Sequence, residues 1–337
     1  MSKAGAARKL ASAALYGGGG LSVLGAGLFG VLTTEATLAR RRIGPATLEV
    51  PDCTGWYGRG RPGPAIKIAL LGDSSAAGYG VHRVEETPGA VLASGVAERA
   101  DRRVYLKSFA VVGAQSSDLA SQVDKALPIE PDVAVILVGA NDVTHVVRPS
   151  ESVGYLAGAV RRLREAGVEV VVGTCPDLGS IKPLMPPLKQ IARSWSRRIA
   201  AAQTITVVET GGRTVSLASI LRSDFERAPS LLFGPDQFHP SATGYRAMAM
   251  VLLPSVLNAL GVLGDEEVET ARGEGVLPIT TAALKAVESP GTEVDGTEVG
   301  GSRLGVRGLW VTLRHRRRQP QIDVEAPTEA EEAPERA

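Results

Sequence analysis

Short apolar runs alternate with helical patterns along the middle of the chain, and this alternation limits the fold more than any other feature. The apolar runs are rich in β-branched residues and occupy residues 65–71, 104–112, 133–138, 168–172 and 204–208. The helical patterns lie near residues 89–100, 116–126, 151–166, 188–202 and 242–260. Strands that are apolar on both faces need helices on both sides, so this order predicts an α/β fold with a parallel sheet. We place this domain at residues 65–264, which is long enough for one substantial core.

Polar residues gather where the predicted strands end, and loops at the carboxyl ends of parallel strands build functional sites. Four loops carry residues suited to chemistry: Gly72-Asp73-Ser74-Ser75, Gly113-Ala114-Gln115-Ser116, Gly139-Ala140-Asn141-Asp142 and, ahead of the last helix, Gly234-Pro235-Asp236-Gln237-Phe238-His239-Pro240. The chain has only four His and two Asn. Finding one Asn and one Asp-x-x-His sequence in these loops therefore points to a site.

Acyl transfer accounts for this set of residues. A serine hydroxyl needs a base such as His, and the imidazole needs an acceptor such as Asp to hold its tautomer. Hydrogen-bond donors must also converge on the oxygen that becomes negative. Ser74, His239 and Asp236 fit the first three roles. The backbone N–H of Gly113 and the side-chain amide of Asn141 fit the last.

Other interpretations of the same loops remain open. His145 also ends an Asp-x-x-His sequence and is the rival base, although its position after Asn141 favours a place lining the site or beginning a helix. Ser74 can be a plain helix N-cap, and Asn141 with Asp142 can form a turn. We expect Asp73 to accept backbone hydrogen bonds that shape the turn at the serine. We favour the histidine of the last loop as the base.

The four loops resemble, in order and spacing, the four motif blocks of the SGNH (GDSL) hydrolases. The matching residues are Gly72-Asp73-Ser74, Gly113, Gly139-Ala140-Asn141-Asp142 and Asp236-x-x-His239, within residues 65–262. Ser75 stands where the family name has Leu, at a variable position. The resemblance does not extend to either end of the chain.

The resemblance implies a three-layer α/β/α, flavodoxin-like domain with a parallel five-stranded sheet, and ester hydrolysis without a metal or another cofactor. Carried over residue by residue, Ser74 is the nucleophile, His239 the general base and acid, and Asp236 the residue that orients the imidazole. The implied oxyanion hole consists of the N–H groups of Ser74 and Gly113 and the side-chain amide of Asn141.

The N-terminal segment, residues 1–42, contains an uncharged run over residues 10–34 with basic residues on both sides. That run is long enough to span a bilayer as a helix. We favour a membrane anchor over a cleaved signal peptide, and expect a membrane-anchored or exported protein of the cell envelope. Basic residues at both ends leave the orientation open. Residues 25–30 fit G-x-G-x-x-G, but the strand and amphipathic helix of a dinucleotide site are missing around them.

The remaining segments have biased compositions. Residues 43–64 are rich in Gly and Pro and indicate a linker. Residues 265–337 are acidic around a basic stretch at residues 303–318, and we predict a mostly disordered tail. We expect the basic stretch to stay solvated beside its acidic neighbours, with contact to anionic lipid as the alternative. Two cysteines cannot form a disulfide framework, and we favour buried free thiols at Cys53 and Cys175 over a single bridge between them.

Charge and loop composition also bear on the partner. The formal net charge of +1 gives no global electrostatic reason for nucleic-acid binding, and we expect none. An apolar groove together with a membrane anchor instead suggests a small-molecule or lipid-like ester. Segment 176–188 carries four prolines beside Leu184, Met185 and Leu188, and residues 231–233 are Leu-Leu-Phe. Both segments predict the border of an acyl groove, or ordinary loop packing. Acyl transfer, sugar O-deacetylation and non-catalytic ligand binding on a membrane are the alternatives to ester hydrolysis. The natural ester and the oligomeric state stay open.

Overall fold

A computed structural model describes residues 30–39, 41–44, 47–217, 232–263 and 275–315, together with residues 324 and 327. The strands are β1 Gly55–Tyr57, β2 Ile66–Gly72, β3 Val104–Ser108, β4 Val133–Leu137, β5 Glu169–Gly173, β6 Arg213–Val215, β7 Gly275–Pro278, β8 Thr292–Gly296, β9 Leu304–Gly305 and β10 Gly308–His315. The helices are α1 (residues 30–39 and 41–43), α2 Ser74–Ala77, α3 Pro88–Ala100, α4 Leu119–Ala126, α5 Ala140–Thr144, α6 Pro149–Glu165, α7 Leu188–Glu209, α8 Ala242–Ala259 and α9 Ile279–Glu288.

The strands form one mixed sheet in which β1-β3-β2-β4-β5-β6-β8-β10-β7 are neighbours and β9 pairs with β10. The five consecutive neighbours from β3 to β6 are parallel. Strand β1 is antiparallel to β3 at one side, and β8 is antiparallel to β6 at the other. The prediction that the whole sheet consists of five parallel strands is therefore wrong. The parallel strands are the centre of a ten-stranded mixed sheet.

Helices cover both faces of the parallel strands, as the apolar runs predict. In β2, Ile66, Ile68 and Leu70 belong to a core with α3 and α8. Ala69 and Leu71 point to the opposite face and belong to a core with α4 and α6. Because side chains alternate along a strand, a strand buried on both faces has no polar period.

The predicted strand at residues 204–208 is wrong, because this segment is the last part of α7. Its β-branched residues favour a strand, but β-propensity is a weak and context-dependent preference. Ile199, Gln203 and Val207 are buried and recur every four residues, so the helical face continues through the segment. The fifth parallel strand is instead β6, which follows a turn at residues 210–212.

The predicted disordered tail is also wrong for residues 275–315, which form β7, α9, β8, β9 and β10. Ile279, Val294 and Leu313 are buried in a core between α9, α7 and the added strands. The acidic residues that indicated disorder lie partly in β8, where Arg213 of β6 lies 3.5 Å from Glu293 and 3.4 Å from Asp295. Ion pairing thus allows charged residues to lie within a strand, although the composition of this segment predicts disorder.

The predicted linker at residues 43–64 contains β1 and buried side chains. Tyr57 is buried and its hydroxyl donates to the Cys53 carbonyl at 2.8 Å. Cys53 and Cys175 are both free and buried, which confirms the prediction for the thiols.

The predicted membrane segment at residues 10–34 lies mostly outside the described residues, since the described part begins at residue 30. Among the described residues, no helix has both the length and the apolar character needed to cross a membrane. The anchor and the location of the protein stay predictions.

Candidate active site

The serine turn follows β2 directly. Gly72 has φ +133°, and a Cβ at this position would lie 1.8 Å from the Leu137 carbonyl oxygen, so the chain can turn here only with glycine. Asp73 is the N-cap of α2, and its carboxylate accepts the Ser75 N–H at 2.8 Å. This contact agrees with the expected role of Asp73 in shaping the turn. Ser74 is the first residue of α2 and is almost completely buried.

The loop ahead of α8 brings a histidine and a carboxylate to this serine. His239 Nε2 lies 3.0 Å from Ser74 Oγ, and His239 Nδ1 lies 2.6 Å from Asp236 Oδ2. The other oxygen of Asp236 accepts the N–H groups of Phe238 and His239, each at 3.0 Å. The structure thus brings together three of the predicted site residues in one hydrogen-bonded chain.

The two carboxyl groups near the serine have different electrostatic environments. Burial raises the pKa of Asp73 to about 6. Burial also acts to raise the pKa of Asp236, but hydrogen bonds from His239 and from the Phe238 backbone outweigh it, and the pKa falls below the ordinary value. Asp236 is therefore ionised at neutral pH and can hold a proton on the facing imidazole nitrogen.

The predicted oxyanion donors lie on the neighbouring loops. Gly113 has φ +85°, and no atom comes within 4 Å of the place where a Cβ would stand. The Asn141 side-chain nitrogen donates one hydrogen to the Ala114 carbonyl at 2.9 Å, which leaves its second hydrogen for a ligand. The backbone N–H groups of Ser74 and Gly113 donate to no other described residue.

A buried carboxylate joins these two loops. Asp142 accepts from the Ser116 hydroxyl at 3.0 Å and from the Ser116 backbone N–H at 3.2 Å. The Ser116 hydroxyl also lies 3.1 Å from the Ser152 hydroxyl of α6. Burial raises the pKa of Asp142 above its ordinary value. The network fixes the spacing between the Gly113 loop and α5, which carries Asn141.

Two buried glutamines that were not among the predicted site residues hold the strand ends beneath the site. Gln122 accepts the Gly72 N–H at 2.7 Å and donates to the Gly72 carbonyl at 2.9 Å. Gln203 accepts the Cys175 N–H at 2.7 Å and donates to the Val138 carbonyl at 3.0 Å. Strands that diverge at their ends leave backbone groups unpaired, and an amide side chain can satisfy both a donor and an acceptor. No sequence signal separates these glutamines from surface ones.

Aromatic residues around the imidazole were also missed. The Tyr79 ring centroid lies 4.6 Å from that of His239, and the Phe238 ring centroid lies 4.7 Å away on an edge-on approach. The Tyr245 hydroxyl donates to the Tyr79 carbonyl at 2.8 Å. Only 4% of the chain is aromatic, so an aromatic residue five positions after Ser74 and another next to His239 were available as a signal.

The rival histidine lies elsewhere. His145 is exposed and follows the last residue of α5 instead of beginning a helix. Its Nδ1 lies 2.8 Å from the Asn141 carbonyl oxygen. His239, not His145, contacts Ser74.

Parts of the predicted groove segments border the site. A small cavity of about 50 Å³ beside His239 is lined by Leu178, Ile181 and Phe233. Leu231 lies outside the described residues. No group of three or more His, Cys, Asp or Glu side chains in the described ranges could hold a metal ion.

Comparison with known proteins identifies the family of this chain. Residues 70–247 match the GDSL-like Lipase/Acylhydrolase family. The chain therefore belongs to this family of SGNH hydrolases, and it is an enzyme of the esterase type.

The relatives include a curated protein and solved structures. The chain is 39% identical over 263 residues to the GDSL-like esterase Rv1075c of Mycobacterium tuberculosis, a match that covers 74% of this chain and 83% of that protein. The crystal structure of LAE5, an alpha/beta hydrolase enzyme from the metagenome of Lake Arreo, Spain, has 20% identity and a TM-score of 0.46, with 59% of this chain and 97% of that chain covered. A variant of Axe2, an acetyl-xylooligosaccharide esterase from Geobacillus, has 18% identity and a TM-score of 0.46, with 64% and 99% covered. The family assignment depends on the sequence matches.

Proposed function

We propose that the protein hydrolyses carboxylic esters through an acyl-enzyme intermediate formed on Ser74. The observation that carries the proposal is the continuous hydrogen-bonded chain from Ser74 Oγ through His239 to Asp236, at 3.0 Å and 2.6 Å. A serine hydroxyl within hydrogen-bond reach of a carboxylate-oriented imidazole is the arrangement that activates this nucleophile.

The first half of the reaction acylates the serine. Ser74 Oγ attacks the ester carbonyl carbon while His239 Nε2 accepts the hydroxyl proton. Asp236 stays ionised and stabilises the imidazolium. The tetrahedral intermediate then collapses, the bond to the alcohol oxygen breaks, and His239 returns the proton to the departing alcohol.

Stabilisation of the oxyanion falls to the neighbouring loops. The N–H groups of Ser74 and Gly113 and the second amide hydrogen of Asn141 are available for a negative oxygen. The second half of the reaction repeats these steps with water. His239 takes a proton from water, which attacks the acyl carbon, and the carboxylic acid leaves as the serine recovers its hydrogen.

Labelling with a fluorophosphonate probe, together with p-nitrophenyl acetate hydrolysis, tests the proposal. We expect the full-length protein to label and to release p-nitrophenol, and the Ser74→Ala variant to do neither while keeping its circular dichroism spectrum. Ser121→Ala, which changes an exposed serine of α4, is the matched control and should behave as the native protein. Labelling and full turnover in Ser74→Ala would contradict the serine mechanism.

Product analysis separates hydrolysis from acyl transfer, because the same residues serve both reactions. We expect free carboxylic acid in equal amount to the released alcohol when a sugar or glycerol is present as a competing acceptor. Quantitative recovery of the acyl group on the acceptor would assign the protein as a transferase instead.

A further inference from the structure

A second cavity of about 260 Å³ lies near the candidate active site, and its walls are almost entirely apolar. Helix α1 provides one wall through Ala36, Ala39 and Ile43. Residues 184–195 provide the opposite wall, including Leu184 and Leu188. None of the described side chains that line this cavity is charged. We refer to it as the α1 cavity.

The α1 cavity adjoins the small cavity beside the catalytic histidine. Leu178, Ile181 and Phe238 line both of them. The Phe238 ring lies edge-on to the His239 imidazole, with ring centroids 4.7 Å apart. Val143 of α5, two residues after the proposed oxyanion donor, also lines the α1 cavity. The α1 cavity therefore lies next to both the imidazole and the helix that carries Asn141, with apolar side chains on its side of that boundary.

Helix α1 is tied to the opposite wall by a hydrogen bond. The Glu35 carboxylate accepts the backbone N–H of Leu188 at 2.9 Å. Leu188 is the first residue of α7, where backbone N–H groups lack partners within the helix. A carboxylate at a helix N-terminus is also favoured by the helix dipole. The family match covers residues 70–247 and does not include α1.

A separate groove on another side of His239 has a different character. Its lining residues include Arg42, Thr47 and Asp236, and its volume is about 410 Å³. Charged groups lose hydration when an alkyl chain covers them, which makes this groove the poorer place for an apolar chain. It suits the alcohol part of an ester instead.

We propose that the α1 cavity binds the acyl chain of the ester, so that the substrate carries a medium-length alkyl chain and α1 limits its length. The inference rests on the proposed function, because it takes the reacting carbonyl to lie at Ser74. Each methylene group that moves from water into such a cavity strengthens binding up to about fourfold. An acetyl group is too short to reach past Phe238 and gains nothing from α1.

A chain-length series tests this inference on the full-length protein. We expect kcat/KM for p-nitrophenyl esters to rise at least tenfold from acetate to hexanoate or octanoate. Ala36→Phe fills the cavity from the α1 side, so it should lower the ratio of kcat/KM for octanoate to kcat/KM for acetate at least tenfold. Thr37→Phe, on the exposed side of the same helix, is the matched control and should leave the whole series unchanged.

A second variant keeps the test valid if the first one fails to fold. Leu184→Ala enlarges the cavity from the opposite wall and should move the preferred acyl length upward by two or more carbons. A series that declines from acetate in the native protein, or a profile that neither variant alters, would overturn the role of the cavity. In either of these cases the fluorophosphonate probe would still label Ser74. If the serine mechanism itself were wrong, the Ser74→Ala variant would instead hydrolyse every ester in the series as the native protein does.

Discussion

The parallel centre of the sheet and the C-terminal extension, residues 275–315, build strands in opposite ways. In the centre, β2 and β4 are buried along their whole length, and Lys67 is the one charged residue within them. In the extension, β7 and β10 are partly exposed, and β8 carries Glu293 and Asp295 within the strand. Apolar runs therefore predict strands that are buried on both faces, but they do not predict antiparallel strands at the edge of a sheet.

The two regions also divide the work of the protein. All the residues proposed for catalysis lie between Ser74 and His239, at the carboxyl end of the parallel strands. The extension instead adds strands to one edge of the sheet and packs α9 against α7. Changes in the parallel region should therefore alter turnover, and changes in the extension should alter stability.

Replacement of the histidine gives the largest expected effect. His239→Ala removes the base and the proton donor together, so kcat should fall by about 10⁴-fold or more. The midpoint of urea unfolding should change little, which separates chemistry from folding. The steady-state hydrolysis of p-nitrophenyl acetate measures the loss, and a fall of less than tenfold would remove His239 from the mechanism.

Loss of one oxyanion donor should have a smaller effect on the same reaction. Asn141→Ala should lower kcat by about 10²–10³-fold, because one of three proposed donors is lost while the nucleophile and base remain. KM should change less than kcat, since the donor acts mainly in the transition state. An effect confined to KM would assign Asn141 to substrate binding.

A core substitution in the extension should affect stability alone. Leu313 is completely buried in the core with α9, so Leu313→Ala should lower the free energy of unfolding by about 2–5 kcal/mol. Leu304→Ala, at an exposed position of β9, is the control and should change it very little. Urea titration gives both values. A clear loss of kcat in the folded Leu313→Ala protein would contradict the assignment of turnover to the parallel region and of stability to the extension.

The smallest expected effect is the pH dependence of stability due to Asp73. Burial raises its pKa from 3.8 to about 6, so the folded state binds its proton more tightly than the unfolded state and loses stability as pH rises through that window. Asp73→Asn cannot ionise and keeps an acceptor for the Ser75 N–H. We subtract the unfolding free energy of the native protein from that of the variant. This difference should rise by about 2 kcal/mol from pH 4 to pH 7. A constant difference across this range would show that Asp73 has an ordinary pKa.

The residues of the catalytic motifs could be predicted from the sequence. The residues that hold the strand ends beneath them could not. The positions of Ser74, Asp236 and His239 follow from loops at strand ends, and the structure brings these three side chains into contact. Gln122 and Gln203 look like ordinary helix residues in the sequence. Their role arises only because they face backbone groups of strands distant in the chain.

Four of the five parallel strands, the helices on both faces and the loops that carry reactive side chains could be predicted from the sequence, because burial on both faces and turn residues leave local patterns. The continuation of α7 through residues 204–208 and the extension of the sheet by residues 275–315 are visible only in the folded chain. Only the tertiary structure, too, placed α1 beside the site. Strand pairing, ion pairing and cavity walls depend on residues far apart in the chain, and such contacts leave no local period to detect.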